Sequence, residues 1–486
     1  MSSTPVPSPA PRPAPGPPPG PGPGPASVPA PVPPSGPTPR PGETGAGASG
    51  RVAGQEPLDS DARPGRAERS DHGGSSVPAG ALGSSPDESL ADRSGQASAA
   101  SRRDDRDELP GATGAYSPPG EDPKDARDPA ALLGIRDRFS LQEALRVLSR
   151  YELGVIDRVR EFRRGSRRSP KLRIVCESGQ FLLKRRAPGR DDTGRIELAH
   201  ELQRRLQGAA FPVAPLVPTR SGETVVQIDG RSYELFRYVE SEGYSKTPEA
   251  AGAAGGALAR LHAITASFGP MAEVLHGSFH ASRTVEQALE RIPEAVGHVE
   301  PDVDRAGLRR TCRLLRKGYL EAMRRAETAG WRTLSRQVVH GDWHPGNVLF
   351  RSDEVVAVLD FDSARIEPRI VDVANGLIQF TMLMASSEDP TLWPEGFDGR
   401  RIETFLRRYD DALRTPLPGG LAAPLEAAEQ DALPWLMVEA LIAETALPIA
   451  ATGSFASLRG SSFLQMIERK VDWIWRRSAR LGSLLG

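Results

Sequence analysis

The stretch QVVHGDWHPGNVLFRSDEVVAVLDFDSA, residues 337–364, decides the fold of this chain. It contains two short apolar runs, 348–350 and 355–359, which have strand length and are rich in β-branched residues. A polar turn separates the two runs, so the pattern predicts a β-hairpin. Because a hairpin brings its two ends together, we expect Asn347 before it and Asp360 after it to lie close in space.

Three side chains of this hairpin have the residue types that phosphoryl transfer requires. The transition state of that reaction is loose and highly charged, so the protein mainly positions groups and supplies electrostatics. A carboxylate must orient the acceptor hydroxyl and accept its proton, which suits Asp342. Magnesium prefers hard oxygen ligands, which suits the amide of Asn347 and the carboxylate of Asp360. We therefore predict Asp342 as the catalytic base and the other two residues as metal ligands.

The same motifs resemble those of the aminoglycoside phosphotransferase superfamily. The sequence HGDWHPGN at 340–347 is similar to the H-G-D-x-H-x-x-N loop of that group, and DFD at 360–362 stands where a kinase has D-F-G. The superfamily also contains choline kinases, bacterial homoserine kinases and bacterial stress-response kinases. The resemblance extends from about residue 139 to the C-terminus, and it implies an enzyme that uses ATP and Mg²⁺.

The resemblance implies an α+β fold class, namely a two-lobed protein-kinase-like fold. We place a small mixed β-sheet N-lobe at residues 139–240 and a mostly helical C-lobe with the catalytic hairpin at residues 241–486. Residues 1–130 are rich in Pro, Gly, Ala and Ser and have almost no aromatic or β-branched content. Such a segment cannot bury enough apolar surface to offset its ordering entropy, so we predict a long disordered tail. The tail is either a solvated extension or a docking segment for a Pro-binding partner.

The run FLLKRR at 181–186 predicts a β-strand in which Leu182 and Lys184 point to the same face. This arrangement resembles the third strand of kinases, so we predict Lys184 as the phosphate-binding lysine with Leu182 beneath the adenine. Glu197 and Glu201 lie one turn apart on a predicted helix at 195–206, and either could pair with this lysine. We choose Glu201 as the partner and leave Glu197 as the alternative.

The segment before the second predicted strand departs from the usual kinase pattern. It has one glycine, Gly165, and no G-x-G-x-x-G loop to cover the phosphates. Arginines could bind the phosphate oxygens directly instead, or they could simply be solvated; they are Arg163, Arg164, Arg167 and Arg168.

A zinc hydrolase is an alternative interpretation of the same loop, because His340, Asp342 and His344 alternate like metal ligands. None of the eight histidines of the chain follows His344. A hydrolase with later histidine ligands is therefore disfavoured. We interpret His340 and His344 as loop braces, hydrogen-bonded to backbone or to a carboxylate, and His262 as a packing residue.

Three acidic residues downstream of the hairpin have two possible roles each. Asp372 is expected to cap the helix that it opens, and the family resemblance implies that it also braces the catalytic loop. Glu439 and Glu444 lie in an apolar helical stretch. They could face a cationic substrate, but we predict that they are surface residues.

Composition excludes several classes of function. The chain has 62 Lys+Arg against 63 Asp+Glu and a net charge of -1, which gives no general argument for nucleic-acid or membrane binding. Its two cysteines cannot form a disulfide framework, no signal peptide is evident, and no apolar run was expected to reach membrane-spanning length. We therefore predict a cytoplasmic protein that binds neither nucleic acid nor membrane.

These observations predict an ATP- and Mg²⁺-dependent phosphotransferase that moves the γ-phosphate to a hydroxyl of a small molecule. Two alternatives stay open at this point. One is a Ser/Thr protein kinase of the stress-response type, which would use a protein acceptor. The other is a nucleotide-binding pseudokinase whose tail carries the interaction. The sequence alone identifies neither the acceptor nor the oligomeric state.

Overall fold

The computed structural model describes residues 137–162, 168–268, 278–415 and 423–484. The tail predicted at 1–130 lies outside these residues, as do Arg163, Arg164 and Arg167 of the basic turn.

The N-terminal part of the described chain is a five-stranded antiparallel sheet with the strand order β1-β2-β3-β5-β4. Its strands are β1 (Ile156–Phe162), β2 (Lys171–Cys176), β3 (Gly179–Arg185), β4 (Val226–Ile228) and β5 (Arg231–Arg237), and its helices are α1 (Leu141–Leu148) and α2 (Thr193–Gly208). Phe181 and Leu183 of β3 point into a small core under the sheet. Because strand side chains alternate, Leu182 and Lys184 point to the other face, as predicted.

Helix α1 begins at the capping box that the sequence predicts. The amide of Glu143 donates to Ser140 Oγ at 3.1 Å, and the amide of Ser140 donates to Glu143 Oε2 at 3.2 Å. The other carboxylate oxygen of Glu143 accepts from Arg185 and Tyr233, each at 2.7 Å. The capping residue therefore also fixes α1 to strands β3 and β5.

The rest of the described chain is mostly helical. Its helices are α3 (Pro248–Thr265), α4 (Arg283–Val299), α5 (Arg305–Thr328), α6 (Ile370–Thr381), α7 (Gly399–Leu413), α8 (Ala427–Thr452) and α9 (Gly460–Ser483). Three two-stranded ladders accompany them: β6 (Arg336–Val339) with β9 (Arg365–Pro368), β7 (Val348–Arg351) with β8 (Glu354–Val358), and β10 (Ser454–Phe455) with β11 (Leu458–Arg459). The predicted fold class, a small antiparallel sheet followed by a mostly helical part, is confirmed.

Helix α8 differs from the sequence expectation. Its 26 residues are long and apolar enough to cross a membrane, but 78% of the most apolar window is buried inside the protein. Pro434 and Pro448 lie within the helix. Packing against α4, α5, α6 and α9 explains the apolar composition of α8.

The catalytic hairpin connects the helical part to the sheet part. The amide of Val358 donates to Pro212 O at 2.9 Å, and the amide of Glu242 donates to Phe350 O at 2.7 Å. These bonds tie both hairpin strands to the segments that flank β4 and β5. A cleft between the sheet and the helices results, and it contains the residues described next.

Candidate active site

The loop that precedes the hairpin is fixed by Asp372. Its carboxylate accepts hydrogen bonds from the amides of His340, at 2.6 Å, and Gly341, at 2.9 Å. The brace implied by the family resemblance is therefore present. The predicted helix cap is wrong, because Arg369 occupies the N-cap position of α6 and Asp372 lies inside the first turn.

Gly341 has no room for a side chain. Its φ is +78°, and an added Cβ would lie 2.2 Å from the carbonyl oxygen of Ser363. Glycine adopts this backbone region without steric cost. The turn into the catalytic loop thus requires glycine on both grounds.

His340 and His344 brace the loop, as predicted. The amide of Asp342 donates to His340 Nδ1 at 3.2 Å, so His340 Nε2 donates to Leu359 O at 3.0 Å. The amide of Gly346 donates to His344 Nδ1 at 2.9 Å. Within the described part of the chain, no group of three His, Cys, Asp or Glu side chains is arranged to hold a metal. A zinc hydrolase would need such a group.

Asp342 is held in an ionised state. Its carboxylate accepts a hydrogen bond from Asn347 Nδ2 at 3.1 Å and lies 3.6 Å from His344 Nε2. Burial alone would raise the pKa of Asp342, but its interactions with His344, His340 and Arg190 outweigh burial and lower the pKa. An ionised carboxylate at this position can accept a proton.

The hairpin closes as the sequence predicts and brings Asn347 and Asp360 to one cavity. Val348 pairs with Val358, and the amide of Leu359 donates to Asn347 O at 2.8 Å. Asn347 Nδ2 is used by Asp342, so the amide oxygen of Asn347 is the atom available to a metal. Burial opposes ionisation of Asp360, but the charge of Lys184 outweighs it and lowers the pKa of this carboxyl.

Lys184 lies among three carboxylates. Its Nζ is 3.2 Å from Asp360 Oδ1, 3.2 Å from Asp362 Oδ2 and 4.0 Å from Glu234 Oε2. Burial favours the neutral amine, but the three carboxylates outweigh it and raise the pKa of Lys184. The lysine is therefore charged.

The predicted pairing of Lys184 with Glu201 is not present. The carboxylate of Glu201 is 34% exposed and bonds to its helix neighbours Arg204 and Arg205, and Glu197 is exposed. Helix α2 buries its other face instead, through Ile196, Ala199, His200 and Gln203. The rotation of α2 that buries this apolar stripe leaves both glutamates pointing away from the lysine.

Sequence reasoning missed Glu234, which the structure places where Glu201 was expected. Glu234 is the cross-strand neighbour of Lys184 on β5, and its side chain is 1% exposed. Burial would raise the pKa of Glu234, but the charges of Arg186 and Lys184 lower it to about 2. A glutamate at the centre of the strand, between Tyr233 and Leu235, was the signal that could have identified it.

One cavity of about 940 Å³ is lined by Lys184, Glu234, Asp342, Asn347 and Asp360. Leu182, Lys184 and Val239 lie in its wall, as do Asp342 and Glu444. The expectation that Glu444 is a surface residue is therefore wrong. Burial, and then the charge of Asp342, raise the pKa of Glu444 well above its ordinary value.

Glu439 is not a surface residue either, and it has a structural role. Its carboxylate contacts His280 Nδ1 at 2.9 Å and accepts from the amide of Ala281 at 3.2 Å. These bonds hold the start of α4 against α8. Of Glu439 and Glu444, only Glu444 lines the cavity.

Known proteins resemble the chain in two ways. A family model described as the phosphotransferase enzyme family matches residues 158–423, more than half of the chain. No curated protein matches the chain. Solved structures match it: a microcompartment-associated aminopropanol kinase has 17% sequence identity and a TM-score of 0.51, over 71% of this chain and 99% of that chain.

Two further solved structures contain nucleotides. An amicoumacin kinase in complex with AMP-PNP and Ca²⁺ has 14% identity and a TM-score of 0.48, over 69% of this chain and 93% of that chain. A spectinomycin phosphotransferase in complex with ADP and spectinomycin has 11% identity and a TM-score of 0.48, over 71% of this chain and 100% of that chain.

Proposed function

The chain belongs to the phosphotransferase enzyme family, and from this premise we propose that it transfers the γ-phosphate of ATP, with Mg²⁺, to a hydroxyl of a small molecule. The similarity to the aminoglycoside phosphotransferase superfamily is thereby confirmed. One observation carries the proposal: an ionised base, Asp342, lines the same cavity as the charged Lys184 and the acidic Asp360. Asp342 would act on the acceptor hydroxyl, while Lys184 and Asp360 would act on the phosphates and their metal.

The donor set of the cavity fits a magnesium nucleotide. The amide oxygen of Asn347 and the carboxylate of Asp360 are hard oxygen ligands of the kind that Mg²⁺ prefers. When bound, the metal would neutralise phosphate charge. Lys184 would bind phosphate oxygens, and Leu182 would pack against the base. We also propose that the segment after β5 binds adenine through its backbone.

Asp342 would carry out the proton transfer. Its carboxylate would accept a hydrogen bond from the acceptor hydroxyl and hold that oxygen in line with the γ-phosphorus. The new bond forms from the acceptor oxygen to phosphorus while the bond from phosphorus to the β-phosphate oxygen breaks. The hydroxyl proton passes to the Asp342 carboxylate, and Asn347 Nδ2 keeps that carboxylate oriented.

We further propose that the acceptor carries an amine. Glu444 lines the cavity close enough to Asp342 for the two charges to disfavour each other. An ammonium group bound between them would relieve that repulsion. Leu447, Pro448 and Ala451 supply apolar wall beside Glu444. The similar aminopropanol kinase is named for an amino alcohol.

An ADP-release screen tests the function. Amino alcohols, aminoglycosides, neutral alcohols, amino acids and a generic protein substrate would be offered with Mg-ATP, with Asp342→Asn as the matched inactive variant. We expect ADP release that depends on an amine-bearing acceptor and on Asp342. Phosphorylation of the protein substrate would instead support the stress-response kinase. Nucleotide binding without transfer to any acceptor would support the pseudokinase.

Two expectations from the sequence stay predictions. Both described cysteines are free and buried, which suits the cytoplasmic setting that we propose. A Pro-binding partner for residues 1–130 would have to be sought by experiment, since this segment lies outside the described residues.

A further inference from the structure

We propose that Glu234 of β5, and not a glutamate of helix α2, is the carboxylate that positions Lys184 for the nucleotide phosphates. This inference rests on the proposed function, because it assigns a positioning residue to the same site. Kinase-like lysines need an anionic partner to hold the ammonium group in place. The choice between Glu197 and Glu201 assumed that the partner is on the helix.

Glu234 is fixed more firmly than a helix residue would be. Its Oε1 accepts a hydrogen bond from Arg186 Nη2 at 2.8 Å and lies 2.6 Å from His200 Nε2. His200 is itself held at its other ring nitrogen, 2.8 Å from Thr224 Oγ1. Because Glu234 and Lys184 are paired across neighbouring strands of one sheet, the sheet sets the distance between their backbones, while His200 of α2 orients the carboxylate.

The second carboxylate oxygen of Glu234, Oε2, is the atom that points to a role beside Lys184. Oε2 is buried and makes no hydrogen bond among the described residues, yet it lies 4.0 Å from Lys184 Nζ. A buried acceptor without a donor is costly, so a native structure that keeps one calls for an explanation. We infer that Oε2 is kept as a charge partner for the lysine.

The present partners of Lys184 explain why such an oxygen is needed. One of them, Asp360, is the proposed metal ligand, so its oxygen cannot serve the lysine and a metal equally well. The other, Asp362, lies two residues after Asp360, and its Oδ1 is 2.7 Å from Arg186, which Glu234 also contacts. Because Glu234 belongs to the same sheet as Lys184 and not to the segment of Asp360, it supplies the carboxylate that stays with the lysine when Asp360 turns to the metal.

A double-mutant cycle on nucleotide affinity tests this role. Mg-ATP binding would be measured by calorimetry for the wild type, Glu234→Gln, Lys184→Met and the double variant. We expect each single variant to weaken binding about tenfold, within the range for residues that contact each other. The double variant should be no weaker than Lys184→Met alone, because Glu234 acts through the lysine.

Two matched variants separate this role from general effects of removing a buried or helical carboxylate. Glu201→Gln removes the glutamate that the sequence favoured, and Glu429→Gln removes a buried carboxylate that is paired with Arg369 at 2.8 Å, away from the cavity. Neither should change nucleotide affinity. If Glu201→Gln weakens binding as much as Glu234→Gln, the helix glutamate is the partner and the inference is wrong.

Thermal unfolding of every variant would be recorded, because the loss of a buried charge can destabilise the fold. His200→Asn provides a second probe, because it keeps Lys184, Arg186 and all the carboxylates of the cluster while removing the ring nitrogen that contacts Glu234. It should weaken binding about threefold in the wild-type background and not at all in the Lys184→Met background. If the effects of the two substitutions on Mg-ATP affinity simply multiply in either cycle, the inference is wrong. A wild type that does not bind Mg-ATP would instead refute the proposed function.

Discussion

Asp342 and Glu444 line the same cavity, and their carboxyl pKa values are shifted in opposite directions. Interactions with His344, His340 and Arg190 lower the pKa of Asp342, despite its burial. Burial and the neighbouring Asp342 charge raise the pKa of Glu444. One carboxyl is therefore ionised and ready to accept a proton, while the other retains a proton more readily until a cation approaches. Two groups with separated pKa values in one site are typical of divided roles.

The affinity for an amine-bearing acceptor should rise with pH. Glu444 attracts an ammonium group only when it is ionised, and its raised pKa moves ionisation to a higher pH. The KM of the acceptor from the screen should thus fall as pH increases through the pKa of Glu444. Glu444→Gln should raise KM about tenfold with a smaller effect on kcat, and should remove this pH dependence. An unchanged KM would show that Glu444 does not contact the acceptor.

The same substitution should stabilise the protein at neutral pH. Because the folded-state pKa of Glu444 lies above its unfolded value, the folded chain binds more protons between the two values. Stability is then lost as pH rises through that interval. Glu444→Gln removes this loss, so its Tm should exceed that of the wild type at pH 7 and approach it below pH 4.5. Thermal melts of both proteins at the two pH values would show whether the Tm difference has the expected sign.

Asp342→Asn should reduce turnover much more than it reduces nucleotide affinity. Asparagine keeps the size of the side chain but cannot accept the proton, and acid–base groups contribute roughly 10²–10⁴ in rate. Asp360→Asn is the contrasting variant, since it should also weaken Mg-ATP binding. Transfer rates and calorimetry would be compared. If Asp342→Asn retains more than about a tenth of wild-type turnover, the loss is smaller than the low end of that range. Asp342 would then not be the base.

A shortened chain that begins at residue 128 should fold and bind Mg-ATP with unchanged affinity. It keeps Asp137, whose carboxylate lies 3.2 Å from Arg185 Nη2, and the carbonyl of Arg138, which accepts from the same arginine at 3.2 Å. A chain that begins at residue 140 would lose both contacts and should melt at a lower temperature. Calorimetry and melting curves on the two chains test the boundary. Loss of Mg-ATP binding by the chain that begins at residue 128 would contradict the predicted boundary.

Lys470→Met should destabilise the protein by about 2–4 kcal/mol. The ammonium group of Lys470 is buried and donates to the carbonyls of Leu383 and Pro394 at 2.9 Å and of Gly396 at 3.1 Å. Methionine would leave three acceptors without this donor. Arg476→Met, at a half-exposed pair with Asp472, should change the unfolding free energy by less than about 1 kcal/mol. Chemical denaturation of both variants would measure the difference.

The sequence by itself determined the features that depend on short spacing along the chain. The capping box at Ser140 joins residues three positions apart, and the hairpin after Asn347 closes through a two-residue turn. Within the loop from His340 to Asn347, the bonds of His340 Nδ1 and Asn347 Nδ2 to Asp342 likewise join neighbours, although Asp372 braces the loop from a distance. Covalent geometry restricts such contacts to a few arrangements, so residue types and their spacing suffice to predict them.

The tertiary structure alone decided which distant side chains share the cavity. Strand register places Glu234 beside Lys184, and the burial of an apolar stripe rotates α2 so that His200 faces inward and Glu201 outward. Packing of α8 on its neighbours turns Glu444 to the cavity wall. A rotation of one helix position, or a shift of one strand residue, would exchange buried and exposed side chains. Which arrangement wins depends on the summed burial of many residues, and no local pattern contains that sum.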